Sequence, residues 1–501
     1  MTSTLVQAGQ NGQAGRAGPG LADGRPAGAG RAGQGWFTRH PEWPITLFLA
    51  AYPLWWVLGV ADYMPILLSV PMARRMYQWR ARRERRLRFP PGIGLWLMFL
   101  VVAVAGATML SQTAPQTIVS PTSTRAISYA LRTASYIGVT ILLLFAGNLT
   151  EEELPRRRLA WLLGLVGIYA TAGGLLGMAD PSFSFTSPLA YVVPQSIQNG
   201  NAQLAIILHP GSSQIQSILG YAEGRPKAPF DYTNMWGECL AILLPWLTVA
   251  WWSYGTRKQR RWCAAILLIA LAPIVYSLDR GLWLGLACAF VYLAVRYAAR
   301  GKLAMLGVLF GLAAVAGILF VASPVGGFIQ ARLNHGKSNA VRTSLSHIAV
   351  TDGEASPLLG YGDSRHEQGS TNSIAVGKTA NCHGCGSRSI GGNGQLWLLL
   401  VCSGVLGAAL YLSFFAYGAW RYGRDPTAYG MMGVLVLLLG FVFMIAYVAV
   451  GPPLSFTMLS YALLWKNDRE LKRQRAAAAE SAGSPARGDG PRRAITARGL
   501  A

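Results

Sequence analysis

Apolar runs of about 18 residues or more recur along nearly the whole chain, each long enough as an α-helix to cross the hydrocarbon of a bilayer. No water reaches that layer, so a spanning backbone must satisfy its own N–H and C=O groups, and a helix does so within one segment. The runs fall at roughly 42–59, 62–79, 92–111, 125–147, 159–178, 234–254, 263–278, 281–298, 303–322, 394–417, 428–449 and 453–466. The expected fold is therefore all-α, a polytopic integral membrane protein of about twelve transmembrane helices. A chain that is 52% hydrophobic and only 13% charged suits this architecture and not a large soluble enzyme.

The formal charge of +23 would suit a nucleic-acid partner, but its placement argues against one. Basic residues cluster in short segments between the runs, as at Arg80 to Arg88, Arg156 to Arg158, Arg257 to Arg261 and Lys466 to Arg475, and in both tails. Cytoplasmic loops of membrane proteins carry this bias, which also attracts anionic lipid. The reading is a multi-pass protein of the inner (cytoplasmic) cell membrane with both termini cytoplasmic, membrane lipids as partners and no nucleic acid. Counted as one span, the hairpin at 42–79 would invert everything after it. The first 35 residues lack an apolar core, so no cleavable signal peptide is expected. Gly28 to Gly33 spells GxGxxG, but no strand precedes it and no helix pattern follows, so it is no dinucleotide motif. Asn148-Leu149-Thr150 is a glycosylation sequon, void on the cytoplasmic side.

The chain divides into a disordered basic tail (1–40), a transmembrane bundle of spans 1–9 (41–322) that includes an outer segment at 180–232, an extracytoplasmic loop with short helices (323–392), spans 10–12 (393–467) and a disordered tail (468–501). The loop at 323–392 is too polar to cross a bilayer and too long for an idle connector. It carries Arg332, His335, Lys337, Arg342, His347, Arg365, His366, Lys378, His383 and Arg388. Val341, Leu345 and Ile348 recur at helical spacing, and Ser338 or Asn339 can cap that helix. A helix N-terminus beside a bidentate arginine suits a phosphate, although a solvated basic loop near lipid head groups would carry the same charge.

Cys382 and Cys385 stand in a Cys-x-x-Cys on the expected oxidising side. A metal site normally needs a second ligand pair, so the reading is a local disulfide and no metal. The other cysteines, Cys239, Cys263, Cys288 and Cys402, fall in apolar runs and are expected to be buried. Asp279-Arg280 closes a run, where ionisable groups are costly unless used or paired. Gly281 and Gly285 would let a helix or ligand approach there. A snorkelling Arg280 neutralised by Asp279 is the plainer alternative. Tyr232, Thr233 and Asn234 bring hydroxyl and amide groups to the outer edge, apt for a sugar, as any aromatic belt would be. Gly173 and Gly177 signal close helix packing.

Taken in order, Tyr232-Thr233-Asn234, Asp279-Arg280-Gly281, Arg332 with Arg342, Ser356-Pro357-Leu358-Leu359-Gly360-Tyr361-Gly362, Asn393-Gly394-Gln395-Leu396-Trp397 and Gly404-Val405-Leu406-Gly407 resemble the O-antigen ligase and polymerase family of envelope glycosyltransferases. The likeness covers roughly Pro229 to Trp465. It implies an all-helical, metal-independent enzyme without a cofactor, with a polyprenyl-diphosphate-linked glycan as donor. The acceptor would be an envelope glycan or glycolipid. It also implies diphosphate binding by Arg280, Arg332 and Arg342. Where the family has a histidine at the start of the helix after the large loop, this chain has Asn393, so ligation to a lipid A core does not carry over.

The expected activity is thus transfer or polymerisation of a lipid-linked glycan onto an acceptor hydroxyl at the outer membrane face. Tyr232, Asn234 and Asp279 would serve glycan and acceptor, with His335, His383 and Asn393 at the catalytic position. A lipid-linked glycan flippase or transporter, or a non-catalytic envelope scaffold, is the alternative. Arg225 lies outside the matched motifs, so its change to Lys is expected to do little.

Overall fold

The computed structural model describes residues 40–118, 121–198, 202–216, 223–322, 337–367 and 388–483. In chain order the helices are α1 (Trp43–Ala50), α2 (Tyr52–Leu58), α3 (Met64–Ala81), α4 (Ile93–Ala105), α5 (Thr122–Asn148), α6 (Arg156–Ala179), α7 (Gln195–Gln198), α8 (Ala202–Leu208), α9 (Thr233–Leu247), α10 (Arg257–Tyr276), α11 (Arg280–Ala298), α12 (Leu303–Ala322), α13 (Lys337–Ala355), α14 (Gln395–Tyr422), α15 (Ala428–Phe443) and α16 (Pro452–Gly483). Two antiparallel hairpins complete the described residues, β1 (Ser213–Gln216) with β2 (Glu223–Pro226) and β3 (Arg365–His366) with β4 (Ser389–Ile390). The structure is 73% helical, in keeping with the all-α expectation.

Among the described residues, six helices are long and apolar enough to cross a membrane: α5, α6, α9 with its π-helical extension to Ser253, α10, α11 and α14. That is half the number expected, and the reasons are local. The run at 42–59 is not one helix. Pro53 has no N–H to give, the chain breaks at Ala51 between α1 and α2, and Gly59 ends α2 in the left-handed region. In the third run the α-helix tightens to a 3-10 turn at Gly106–Met109. Helix α3 carries Arg74, Arg75 and Arg80 within its length, and α15 has only 16 residues.

Pro41–Ala501 forms one unit with α9 near its centre. On α9, Trp236, Cys239, Leu240, Leu243, Trp246 and Leu247 are all buried, the pattern of a helix surrounded by others. Helix α6 comes close enough that a Cβ on Gly164 would lie 2.8 Å from the Leu247 Cα. The Trp236 indole donates to the Ala170 carbonyl at 2.8 Å and that of Trp246 to the Ser460 hydroxyl at 2.8 Å, so both N–H groups are satisfied in the apolar interior. Gly173 and Gly177 mark a close approach, but of the outer segment and not of a helix. A Cβ on Gly173 would meet the Ala228 carbonyl oxygen, and one on Gly177 would lie 2.7 Å from the Ser212 oxygen.

Helix α14 is broken at Gly404, whose φ of 67° and ψ of −175° interrupt the ladder. The turn after α13 replaces the lost bonds. Tyr361 N–H donates to the Val401 carbonyl at 2.7 Å and Gly362 N–H to that of Cys402 at 3.1 Å, while Leu406 N–H donates to Pro357 at 2.9 Å. Irregular backbone beside a bilayer is tolerated only where protein satisfies it in this way. The Ser356 to Gly362 turn is therefore a plug that docks the outer region onto the bundle.

The basic segments gather at one end of the bundle. The Arg85 guanidinium pairs with Glu153 at 2.8 Å, the Arg88 N–H donates to Asn148 Oδ1 at 2.9 Å, and Lys466 Nζ donates to the carbonyls of Leu149 and Leu154 at 2.9 and 2.7 Å. Asn148, the sequon asparagine, is buried in this network. Arg296 donates to the Gly423 and Asp425 carbonyls at 2.7 and 2.8 Å. Among the apolar-run cysteines, Cys239, Cys263 and Cys402 are buried, whereas Cys288 is exposed on the outward face of α11. Its burial was expected from the apolar run alone, but α11 turns much of that run away from other helices.

Candidate functional site

Asp279 is the N-cap of α11. Its Oδ1 accepts the N–H groups of Gly281 at 3.2 Å and Leu282 at 3.4 Å, satisfying donors that the first helical turn leaves free. The same oxygen accepts a hydrogen bond from the Tyr447 hydroxyl, and Oδ2 has no hydrogen-bond partner. The space opened by Gly281 and Gly285 is filled by Tyr447 and Phe443, so the close neighbour there is the protein itself. Only 3% of Asp279 is exposed. Burial pushes its carboxyl above the usual range, against the pull of Arg225 and the Tyr447 hydroxyl.

Arg225, from β2, enters this site and is only 5% exposed. Its Nε donates to the Ser277 carbonyl at 2.6 Å, two residues before Asp279. Burial works against its charge, Asp279 and Tyr447 favour it, and the nearby Arg342 and Arg280 charges oppose it. Arg225 lies outside the matched motifs, yet the fold brings it beside Asp279. The residue sits 52 positions before Ser277 in sequence, and only the fold of the outer hairpin over α6 and α10 delivers it.

Arg342, on α13, donates to the Ala446 carbonyl at 3.3 Å, the residue before Tyr447. Asn393 lies beside it and donates through Nδ2 to the Arg342 carbonyl at 3.3 Å and the Ser346 hydroxyl at 2.8 Å. Its Oδ1 is buried without a partner. Gln395, wholly buried at the start of α14, ties the same connection together. Its N–H donates to the Tyr447 carbonyl at 2.7 Å, and its Oε1 accepts from Ala449 N–H at 3.1 Å. The segment from Met444 to Ala449 thus joins the Asp279, Arg225 and Arg280 group to the Arg342 and Asn393 group.

The other sequence candidates fall elsewhere. Tyr232 and the half-buried Asn234 open α9, but Tyr232 faces a second polar group. That group is a hydrogen-bonded pair of carboxyls, Asp62 and Asp231, with Lys227 nearby. Burial raises both carboxyls and raises the Tyr232 hydroxyl with them. Arg365 is not available as a ligand-binding donor. It is 1% exposed, and its guanidinium is spent on the carbonyls of Tyr361, Asp363, Leu110 and Gln112. His347 and His366 are exposed, and His209 lies 3.4 Å from the Thr186 hydroxyl. Arg332, His335, Lys378, Cys382, His383 and Cys385 lie outside the described residues. Among the described residues no three His, Cys, Asp or Glu side chains stand together as metal ligands would.

Sequence reasoning missed Arg225, Tyr447, Gln395 as a buried anchor, and Glu238 on α9. Glu238 alone was signalled, since a carboxyl inside an apolar run is costly and so rarely incidental. No protein-family model matches the chain, and no curated protein is detectably similar to it.

Proposed function

We propose that the protein is a membrane glycosyltransferase of O-antigen ligase or polymerase type, working at the outer face of the inner (cytoplasmic) membrane with both termini cytoplasmic. It takes a glycan from a polyprenyl diphosphate and passes it to the hydroxyl of an envelope glycan or glycolipid. The observation that carries this reading is the gathering of Arg225, Arg280 and Arg342 from three segments, with Arg225 beside one buried Asp–Tyr pair. Three arginines are a poor lining for an apolar chain and a good one for a diphosphate, which their planar forks hold bidentately. The acceptor oxygen attacks the anomeric carbon, and the bond from that carbon to the diphosphate oxygen breaks. Negative charge then grows on the diphosphate, and preorganised positive charge at that place is a large catalytic term. Asp279 and Tyr447 fix the base from which Arg280 projects. A transporter would want its ionisable groups deeper, near the middle of broken spans.

The test is turnover by purified protein in lipid nanodiscs with a polyprenyl-diphosphate disaccharide. Arg280→Lys keeps the charge and removes the fork, so it should lose about 30–150-fold in rate, the equivalent of 2–3 kcal/mol, while remaining folded. Full turnover by Arg280→Lys would move the diphosphate elsewhere. No turnover by the unaltered protein would favour the transporter or scaffold.

A further inference from the structure

Glu238 lies on the second turn of α9, with 1% of its surface exposed and Oε2 lacking any hydrogen-bond partner. An unpartnered carboxyl oxygen in an apolar bundle costs free energy with no structural return. This one opens on a space. Glu238 lines a narrow cleft with about 20 Å³ of room for a water-sized sphere, part of it open to the outside, walled by Gln395, Tyr411, Phe415, Phe441 and Leu454. The cleft runs between α9, α14, α15 and the start of α16, and Glu238 is its only charged wall. Its end meets the site already described. Gln395 is bonded to the Tyr447 backbone, Tyr447 to Asp279, and the Asp279 charge acts on Glu238. Asp279 itself is ill placed to serve a substrate. One of its oxygens caps α11 and holds Tyr447, and the other abuts Gly237, where a Cβ would lie 2.8 Å away.

We propose that Glu238 is the group that takes the proton from the acceptor hydroxyl, in place of the histidine for which this chain has Asn393. The inference rests on the transferase reading above. The acceptor's O–H proton passes to the Glu238 carboxylate through one water in the cleft. The freed oxygen pair forms the bond to the anomeric carbon. The bond from that carbon to the diphosphate oxygen breaks, its electron pair staying on the diphosphate opposite the arginines. The Glu238 proton then returns to solvent. A general base of this kind contributes about 100-fold or more.

The experiment uses the full chain in nanodiscs with a polyprenyl-diphosphate disaccharide as both donor and acceptor, measuring donor binding, kcat and the pH profile of kcat. Glu238→Gln should bind donor as the unaltered protein does, lose about 100-fold or more in kcat, and lose the rise of kcat with pH. Glu238→Asp should keep that rise at a reduced rate. A Glu238→Gln protein with kcat within about threefold and an unchanged pH profile would overturn the inference while leaving the transferase reading intact. An unaltered protein that binds donor but makes no product would overturn both. Should Glu238→Gln fail to accumulate in the membrane, Gly440→Leu decides. Gly440 lines the cleft, and a Cβ there meets no atom within 4 Å, so the larger side chain starts from open space. It should cut turnover at least tenfold with donor binding retained, and unchanged turnover would overturn the inference.

Discussion

Arg225 is the residue whose role the structure changes most, and it offers the sharpest test of the site. Its Nε donates to Ser277 at 2.6 Å, and its charge stands against the buried carboxyl of Asp279. A hydrogen bond from a charged donor is worth about 1.5–3 kcal/mol. Removing a buried charge that faces another, even with no hydrogen bond between them, adds the cost of leaving the second less compensated. The two effects together put the loss for Arg225→Met at about 2–4 kcal/mol. Arg225→Lys keeps a charge but cannot copy the fork, and should fall between the two. Thermal unfolding in nanodiscs measures both. The coupling is separable by a double-mutant cycle. With Asp279→Asn in place there is no carboxylate to strand, so Arg225→Met should cost at least about 1 kcal/mol less than in the unaltered protein. Strictly additive losses, or an Arg225→Met variant within about 0.5 kcal/mol of the unaltered protein, would refute the claim that Arg225 compensates Asp279.

Two further outcomes follow from the outer region. Asp352, on α13, is wholly buried with both carboxylate oxygens unpartnered, and burial pushes it up to about 7 despite the nearby Arg365. The folded protein therefore holds a proton that the unfolded chain releases above its ordinary value of 3.8. The stability from this group is present at low pH and lost as pH rises through about 7, a slope that Asp352→Asn should remove in unfolding scans from pH 5 to 8. At the break in α14, Gly404→Ala would hold alanine at a φ of 67° and set its Cβ 2.5 Å from the Ser356 oxygen. Strain of that kind costs about 1–3 kcal/mol, and its loosening of the plug should appear as faster hydrogen exchange at Tyr361 and Gly362, the two N–H groups that bridge the break.

The helices were legible where the signal was local. The expected spans at roughly 125–147, 159–178 and 281–298 became α5 (Thr122–Asn148), α6 (Arg156–Ala179) and α11 (Arg280–Ala298), because long apolar runs have few other ways to satisfy their backbone. The breaks were less legible. The run at 42–59 was expected as one span although Pro53 lies within it, and Gly404 reads in sequence like any small residue at a helix contact. Only the distant Ser356–Gly362 turn shows it to be a break. The candidate site divides in the same way. Asp279-Arg280 stood out because a run ends there in charge, and Asn393 only through the family resemblance. Arg225 and Tyr447 did not, since neither neighbourhood says what it will face. An arginine in a polar outer segment is ordinarily solvated, and a tyrosine near a membrane edge ordinarily belongs to the aromatic belt. What removes both from water is the hairpin β1–β2 lying across α6 and the return of the α15–α16 connection over α11. Those are long-range pairings, and their cost is met only once the helices beneath are assembled. The site is therefore a product of the bundle's assembly. A variant that disturbs how the hairpin lies on Gly173 and Gly177 should weaken the Arg225–Ser277 bond without touching either residue.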